Sequence, residues 1–230
     1  MKKLLLFDID STLLRAEDAT HQAMDRAFHD IFGIEAATRN INFFGRTDPE
    51  LFQEAATKLL GRKLKDKEYT AAVNRYLEML PQELKSCIFY LMPGVASLLE
   101  ELAARQDILL GLETGNIEPA AHLKLQRGNI DHYFRFGGFG SDSESRPGLV
   151  KIAIARGRKI AGDGIKEKNI YVIGDSPHDI SAGKDCGVNT IAVSTGRADR
   201  EKLMAEAPSC YFKDLSDTAA FLRCIDDEKK

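Results

Sequence analysis

The 230-residue chain contains no tryptophan, only 7 prolines and only 4 cysteines. Cys87, Cys186, Cys210 and Cys224 stand far apart with no C-x-x-C pair. That spacing argues against a zinc site or a disulfide frame and predicts reduced, mostly buried thiols in a cytoplasmic protein. The five histidines show no ligand spacing either. No apolar run approaches the roughly 20 residues a membrane-spanning helix needs. The run after Lys2-Lys3 is cut by Asp8 and Asp10 too early for a signal peptide. Lysine and arginine (32) nearly balance aspartate and glutamate (35), and a net charge of -3 supplies no global field for nucleic acid or anionic lipid. Internal repeats and low-complexity linkers are missing too. What remains is 43% hydrophobic and 29% charged, an ordinary globular balance with length enough for one core and a smaller second unit.

Leu4-Leu5-Leu6-Phe7 is a short apolar run that leads straight into Asp8-Ile9-Asp10-Ser11-Thr12. Such a run predicts a strand, Lys3–Ile9, buried on both faces of a parallel sheet. Ligands of open α/β sheets sit at the carboxyl ends of the strands. Carboxylates there are costly unless a cation or a phosphate chemistry uses them. Asp8 and Asp10, two residues apart, would project to one side of a strand, the geometry for sharing a divalent cation. The alternative is an Asx turn, in which Asp and Ser only satisfy backbone amides.

From Glu17 to about Leu84 the apolar residues fall at helical spacing alone, in three stripes that include Ala23, Ala27 and Phe28, then Phe52, Ala55 and Ala56, then Val73, Tyr76 and Leu80. Thr47-Asp48-Pro49-Glu50 predicts a capping box at the second helix. Beyond Pro93-Gly94 the pattern alternates. Strands are predicted at Ile108–Leu112, Phe136–Phe139, Ile170–Ile173, Thr190–Ser194 and Cys210–Phe212. Helices are predicted at Val95–Arg105, Glu118–Arg127, Leu149–Ala161, Asp179–Cys186 and Ser216–Ile225. The expected fold is α/β, a doubly wound parallel sheet formed by residues 1–15 and 92–230, with an all-helical domain inserted at 16–91. An insertion at that point lies over Asp10 as a lid.

Three more motifs fall at strand ends. Thr114-Gly115-Asn116 either caps the helix starting near Glu118 or opens an oxyanion cradle of backbone amides. Arg146-Pro147 puts a cation in the loop before the next helix, with Lys151 as its competitor. Gly174-Asp175-Ser176-Pro177-His178-Asp179 supplies a second acidic pair after an apolar strand. In this order the motifs resemble those of the haloacid dehalogenase-like phosphohydrolases with a helical cap after strand one. Gly45-Arg46-Thr47-Asp48 and Thr114-Gly115-Asn116 are most similar to the phosphoglycolate-phosphatase-like members.

That resemblance implies a Mg2+-dependent phosphatase acting on a small phosphorylated metabolite, such as phosphoglycolate or a sugar phosphate. Asp8 would be the nucleophile and form an aspartyl-phosphate. Asp10 would protonate the leaving alkoxide, kept neutral until then by its acidic neighbours. Asp8, the Asp10 carbonyl, Asp175 and Asp179 would serve the metal. Thr114 and Gly115 would contact the phosphoryl group, Thr12 and Asn116 would be among the substrate-binding residues, and Arg146 would offset charge at Asp8. Arg46 either clamps the rest of the substrate or is a solvated bystander. Glu113 either pairs within the helix layer or adds charge to the site. A phosphomutase of the same fold is the enzymatic alternative, and a non-catalytic binding protein is the alternative of another class. A dehalogenase is disfavoured by Asp10, which halide departure does not need.

Overall fold

The computed structural model describes residues 2–162 and 164–227. β1 (Lys3–Phe7) leads into a ribbon strand, β2 (Leu14–Ala16), then α1 (Ala19–Phe32), α2 (Asp48–Leu60), α3 (Asp66–Ser86) and a second ribbon strand, β3 (Phe89–Leu91). Alternation follows: α4 (Val95–Ala103), β4 (Ile108–Thr114), α5 (Glu118–Arg127), β5 (Gly137–Phe139), α6 (Arg146–Ala161), β6 (Ile170–Gly174), α7 (Pro177–Asp185), β7 (Asn189–Val193), α8 (Arg200–Ala205), β8 (Cys210–Phe212) and α9 (Thr218–Asp226). Six of the strands form one parallel sheet in the order β5-β4-β1-β6-β7-β8.

After Lys3, β1 is apolar, as is β6, because both faces of the central sheet are covered. Leu5 and Phe7 pack with Leu98, Leu125 and Phe221 of α4, α5 and α9. Leu4 and Leu6, one residue out of phase, pack with Val150 and Ala153 of α6 and Ala182 of α7. The sheet is doubly wound, as expected. Pairing of Phe7 with Leu112 on one side and Ile173 on the other brings the ends of β4, β1 and β6 level.

The helices between β2 and β3 share a separate apolar cluster. Phe52 stacks on Phe28 (5.9 Å between centroids) and meets Tyr76 edge-on (5.6 Å). Ile117 and Ala120 of α5 join that cluster, so the helical layer is seated on the sheet layer by apolar contact. Both ends of this segment pass through the β2–β3 ribbon, in which Leu14 pairs with Leu91 and Ala16 with Phe89.

Several boundaries differ from expectation. β1 stops at Phe7 because the Ile9 carbonyl then accepts from the amides of Thr12, Leu13 and Leu14, turning the chain. α6 begins at Arg146, where Ser145 caps it by accepting from the Gly148 amide at 3.2 Å. Arg146 therefore stands on a helix and not in a loop. The β2–β3 ribbon and α8 are additions. Cys210 and Cys224 are joined in a disulfide that ties β8 to α9, which corrects the expectation of four thiols. Their 14-residue separation carries no motif, yet the strand-to-helix return brings their Cα atoms to 6.6 Å. Cys87 and Cys186 are free. Among the described residues no helix is long and apolar enough to cross a membrane.

Candidate active site

Asp8 follows β1, Asp175 follows β6, and Asp179 lies in the first turn of α7. One carboxylate oxygen from each falls within 4.8 Å of the others, and all three residues are buried. Sheet pairing continues to the first of them, since the Asp8 amide donates to the Ile173 carbonyl at 2.9 Å. The Thr12 hydroxyl donates to Asp175 Oδ1 at 3.1 Å. Ser176 caps α7, and its amide and hydroxyl donate to Asp179 Oδ2 at 3.0 and 2.7 Å. That leaves Asp179 Oδ1 turned to the site.

Among the described residues, Arg146 is the cation that pairs with these acids. Its Nη1 lies 3.5 Å from Asp8 Oδ1, 3.2 Å from Glu113 Oε2 and 3.1 Å from Asp179 Oδ1. Glu113 is 0% exposed and belongs to this cluster, which answers where it points. Lys151 is exposed and lines a separate surface hollow with Ile154 and Arg158. One guanidinium does not balance the acids. Burial, then the Asp179 charge, raises Asp8 well above the usual carboxylate range, with Arg146 only partly offsetting the rise. Burial likewise raises Glu113, and it lifts Asp175 to about 7. Burial alone would lower the Arg146 pKa, but Asp179, Glu113 and Asp8 hold it above its ordinary value. Glu113 Oε1 and Asp179 Oδ1 are buried without a well-aligned donor. All-oxygen donors with surplus negative charge fit a hard divalent cation.

Asp10 is placed differently from expectation. Because the strand has ended, its side chain does not join the trio; it turns toward α5. Lys124 Nζ donates to both of its oxygens at 2.8 Å, and Asn116 Nδ2 donates to Oδ2 at 2.7 Å. Lys124 is 2% exposed and also donates to Asn116 Oδ1 at 2.6 Å. Asn116 Nδ2 reaches Thr114 Oγ1 at 2.9 Å as well. The Asp10 side chain is 47% exposed and faces the cavity, with the buried Asn116 and Lys124 on its other side. Those surroundings would raise its pKa, but Lys124 and Asn116 more than offset them and lower it. Asp10 is therefore held ionised, the reverse of the neutral acid expected from crowding. Lys124 belongs to none of the sequence motifs. The one signal for it is its place on the apolar stripe of α5, with Ala120, Ala121 and Leu125.

A cavity of about 280 Å³ lies above these groups. Asp8, Asp10, Thr114, Gly115, Asn116, Arg146, Asp175 and Asp179 line it from the sheet side, and Phe43, Phe44, Arg46 and Asp48 from the helical side. Thr12 does not line it; fully buried, it stands behind Asp175, a correction to its expected place among the substrate-binding residues. Arg46 reaches the cavity with its guanidinium paired to Glu54. The roof meets the floor closely. The Asp48 amide donates to the Gly115 carbonyl at 2.8 Å, and Asp48 Oδ2 accepts from the Ile117 amide at 2.9 Å. Gly115 admits no Cβ because the Arg46 carbonyl and Thr47 Cα occupy its space, and Gly45 (φ +70) lies against the His178 ring. Asp48 is buried, and burial lifts its pKa to about 6.

Acids gathered at the ends of parallel strands, a guanidinium set among them and a helical roof form one site of an α/β fold. The family model for haloacid dehalogenase-like hydrolases matches residues 5–193, and the chain belongs to that family. It is 28% identical over 145 residues to phosphoglycolate phosphatase of Synechococcus elongatus, covering 62% of this chain and 65% of that protein. The crystal structure of a predicted phosphoglycolate phosphatase from Haemophilus somnus superposes with a TM-score of 0.70 at 23% identity, covering 96% of this chain and 98% of that one. A hydrolase from Pseudomonas syringae superposes with a TM-score of 0.72 at 18% identity, covering 98% and 100%.

Proposed function

We propose that the chain is a Mg2+-dependent phosphatase that hydrolyses a small phosphate monoester, phosphoglycolate-like or a sugar phosphate, through an aspartyl-phosphate on Asp8. Residues 16–91 act as the cap over a core of 1–15 and 92–230. The observation that carries this is the buried trio Asp8, Asp175 and Asp179, with oxygens within 4.8 Å, on the floor of a roofed cavity. Asp8, the Asp10 carbonyl, Asp175 and Asp179 would hold Mg2+. When bound, the ion supplies positive charge to the phosphoryl oxygens and to the crowded carboxylates.

The chain's own residues do the rest. A carboxylate oxygen of Asp8 attacks phosphorus as the bond to the leaving oxygen breaks, dividing one displacement into two. Asp10 and Lys124 form the proton-exchanging pair beside it: a proton passes to the leaving oxygen, and the pair regains one from the water that hydrolyses the intermediate. Arg146 offsets the charge gathered at Asp8, and Thr114, the Gly115 amide and Asn116 receive phosphoryl oxygens. Thr12 orients Asp175, and Arg46 contacts the remainder of the substrate at the rim. A cavity of about 280 Å³ under a roof suits a metabolite and excludes macromolecules. The proposed setting is the cytoplasm.

Release of nitrophenol from p-nitrophenyl phosphate with and without Mg2+ tests this. Wild type should be active only with the ion, and Asp8→Asn should lose activity by about a thousandfold or more. An Asp8→Asn protein that keeps the wild-type rate would sink the proposal.

A further inference from the structure

Five cationic side chains line the cavity, and four of them already face carboxylates. Arg15 lies 3.6 Å from Glu17, Arg46 is paired with Glu54, Lys124 holds Asp10 at 2.8 Å, and Arg146 serves Asp8, Glu113 and Asp179. The fifth, Arg197, has no hydrogen bond or ion pair to any described residue. It follows β7 on a loop that is fixed in place. The Thr195 hydroxyl donates to the Ser11 carbonyl at 2.6 Å. The Gly196 backbone lies so close to the Asp175 carboxylate that no side chain would fit between them. This loop sets Arg197 at the cavity wall next to the acidic floor.

The facing groups offer it no replacement partner. His21 and Phe43 stand together at 3.7 Å between ring centroids and line the same cavity. Burial, assisted by the Arg197 charge, keeps the His21 imidazole toward its neutral form. Asp18 also lines the cavity but makes no ion pair with Arg197. Without Arg197, the cations a negative tail could meet in the cavity are ones already paired with carboxylates. An exposed, unpaired guanidinium on an anchored loop is suited to a carboxylate or phosphate, which it engages with paired N–H donors.

We infer that Arg197 is a specificity residue that receives a second anionic group, carboxylate or phosphate, carried by the leaving portion of the substrate. This rests on the phosphatase proposal above, and the two fail separately. The test measures binding by calorimetry, with Mg2+ present, in an Asp8→Asn background. The probes are 2-phosphoglycolate (carboxylate tail), pyrophosphate (phosphate tail) and 2-hydroxyethyl phosphate (uncharged tail). Adding Arg197→Ala should weaken one or both charged-tail probes by about ten- to a hundredfold. The uncharged probe should change by less than about twofold, and Arg197→Lys should restore part of the loss. The charged probe that loses more identifies the group recognised.

Equal weakening of all three probes, no weakening of any, or no binding of any by the Asp8→Asn protein would each overturn the inference. So would an Asp18→Asn variant that reproduces the selective loss, because Arg197 would then act through the helical segment. Turnover of p-nitrophenyl phosphate by wild type alongside any of those results would leave the phosphatase standing without the clamp.

Discussion

Asp48 links the helical roof to the floor with a buried carboxylate, and that has a measurable cost. Its pKa rises from 3.8 to about 6, chiefly through burial, despite the nearby Lys124 charge and the Ile117 amide. A rise of about 2 units corresponds to about 3 kcal/mol at 1.36 kcal/mol per unit. Between the two pKa values the folded chain binds more protons than the unfolded chain, so stability from this group is complete below 3.8, falls as pH rises through about 6, and is gone above that. Asp48→Asn removes the titration and keeps an oxygen acceptor for the Ile117 amide, now at 2.9 Å. The new amide NH2 must find a partner in a buried place, which costs about 1 kcal/mol. The net expectation at pH 8 is a gain of about 2 kcal/mol, or about 4–8 °C in melting temperature for a chain of this size. Thermal unfolding of both proteins from pH 4.5 to 8 is the assay, and their difference cancels the other titrating groups. A gain that stays constant across that range, or a variant less stable than wild type at pH 8, refutes the reasoning.

Lys124→Met should slow turnover of alkyl phosphates by about a hundredfold or more and p-nitrophenyl phosphate far less, because phenolate departs without a proton; equal losses would remove Lys124 from proton handling. In the same variant the Asp10 pKa should move up, and the acid limb of the pH–rate profile should move with it. Cys224→Ser should cost about 3 kcal/mol by opening a 14-residue loop. It should leave turnover unchanged, since β8 is the sheet edge farthest along the order from β4 and β1. A wild-type protein whose melting temperature ignores dithiothreitol would contradict the bridge. Phe52→Ala, which hollows the helical cluster, should cost about 3–5 kcal/mol in unfolding free energy measured with urea.

The acidic floor was legible because a parallel strand buried on both faces has to be an apolar run, and β1 and β6 each break from apolar to acidic at their ends. The direction of Asp10 was not legible. Period-two projection holds only while the strand continues, and the chain leaves it after Phe7. Lys124 was hidden for a different reason: a lysine on a helix reads as solvated until the partner that neutralises it, 114 residues away, is in place. The partners of Arg46 and Glu113 were open in the sequence for the same cause, since pairing depends on which side chains the fold brings near. The three-residue strands of the ribbon are too short to show alternation, and their pairing spans the entire helical segment.

That ribbon has a consequence for how such a protein diversifies. Since Leu14 pairs with Leu91, the helical stretch departs and rejoins at one seam, and the parallel sheet draws no strand from it. A different stretch of any length could be spliced at the same seam while the acidic end of β1 and β6 stayed intact. The roof and the acidic floor are thus separate pieces of one chain that meet at a single seam.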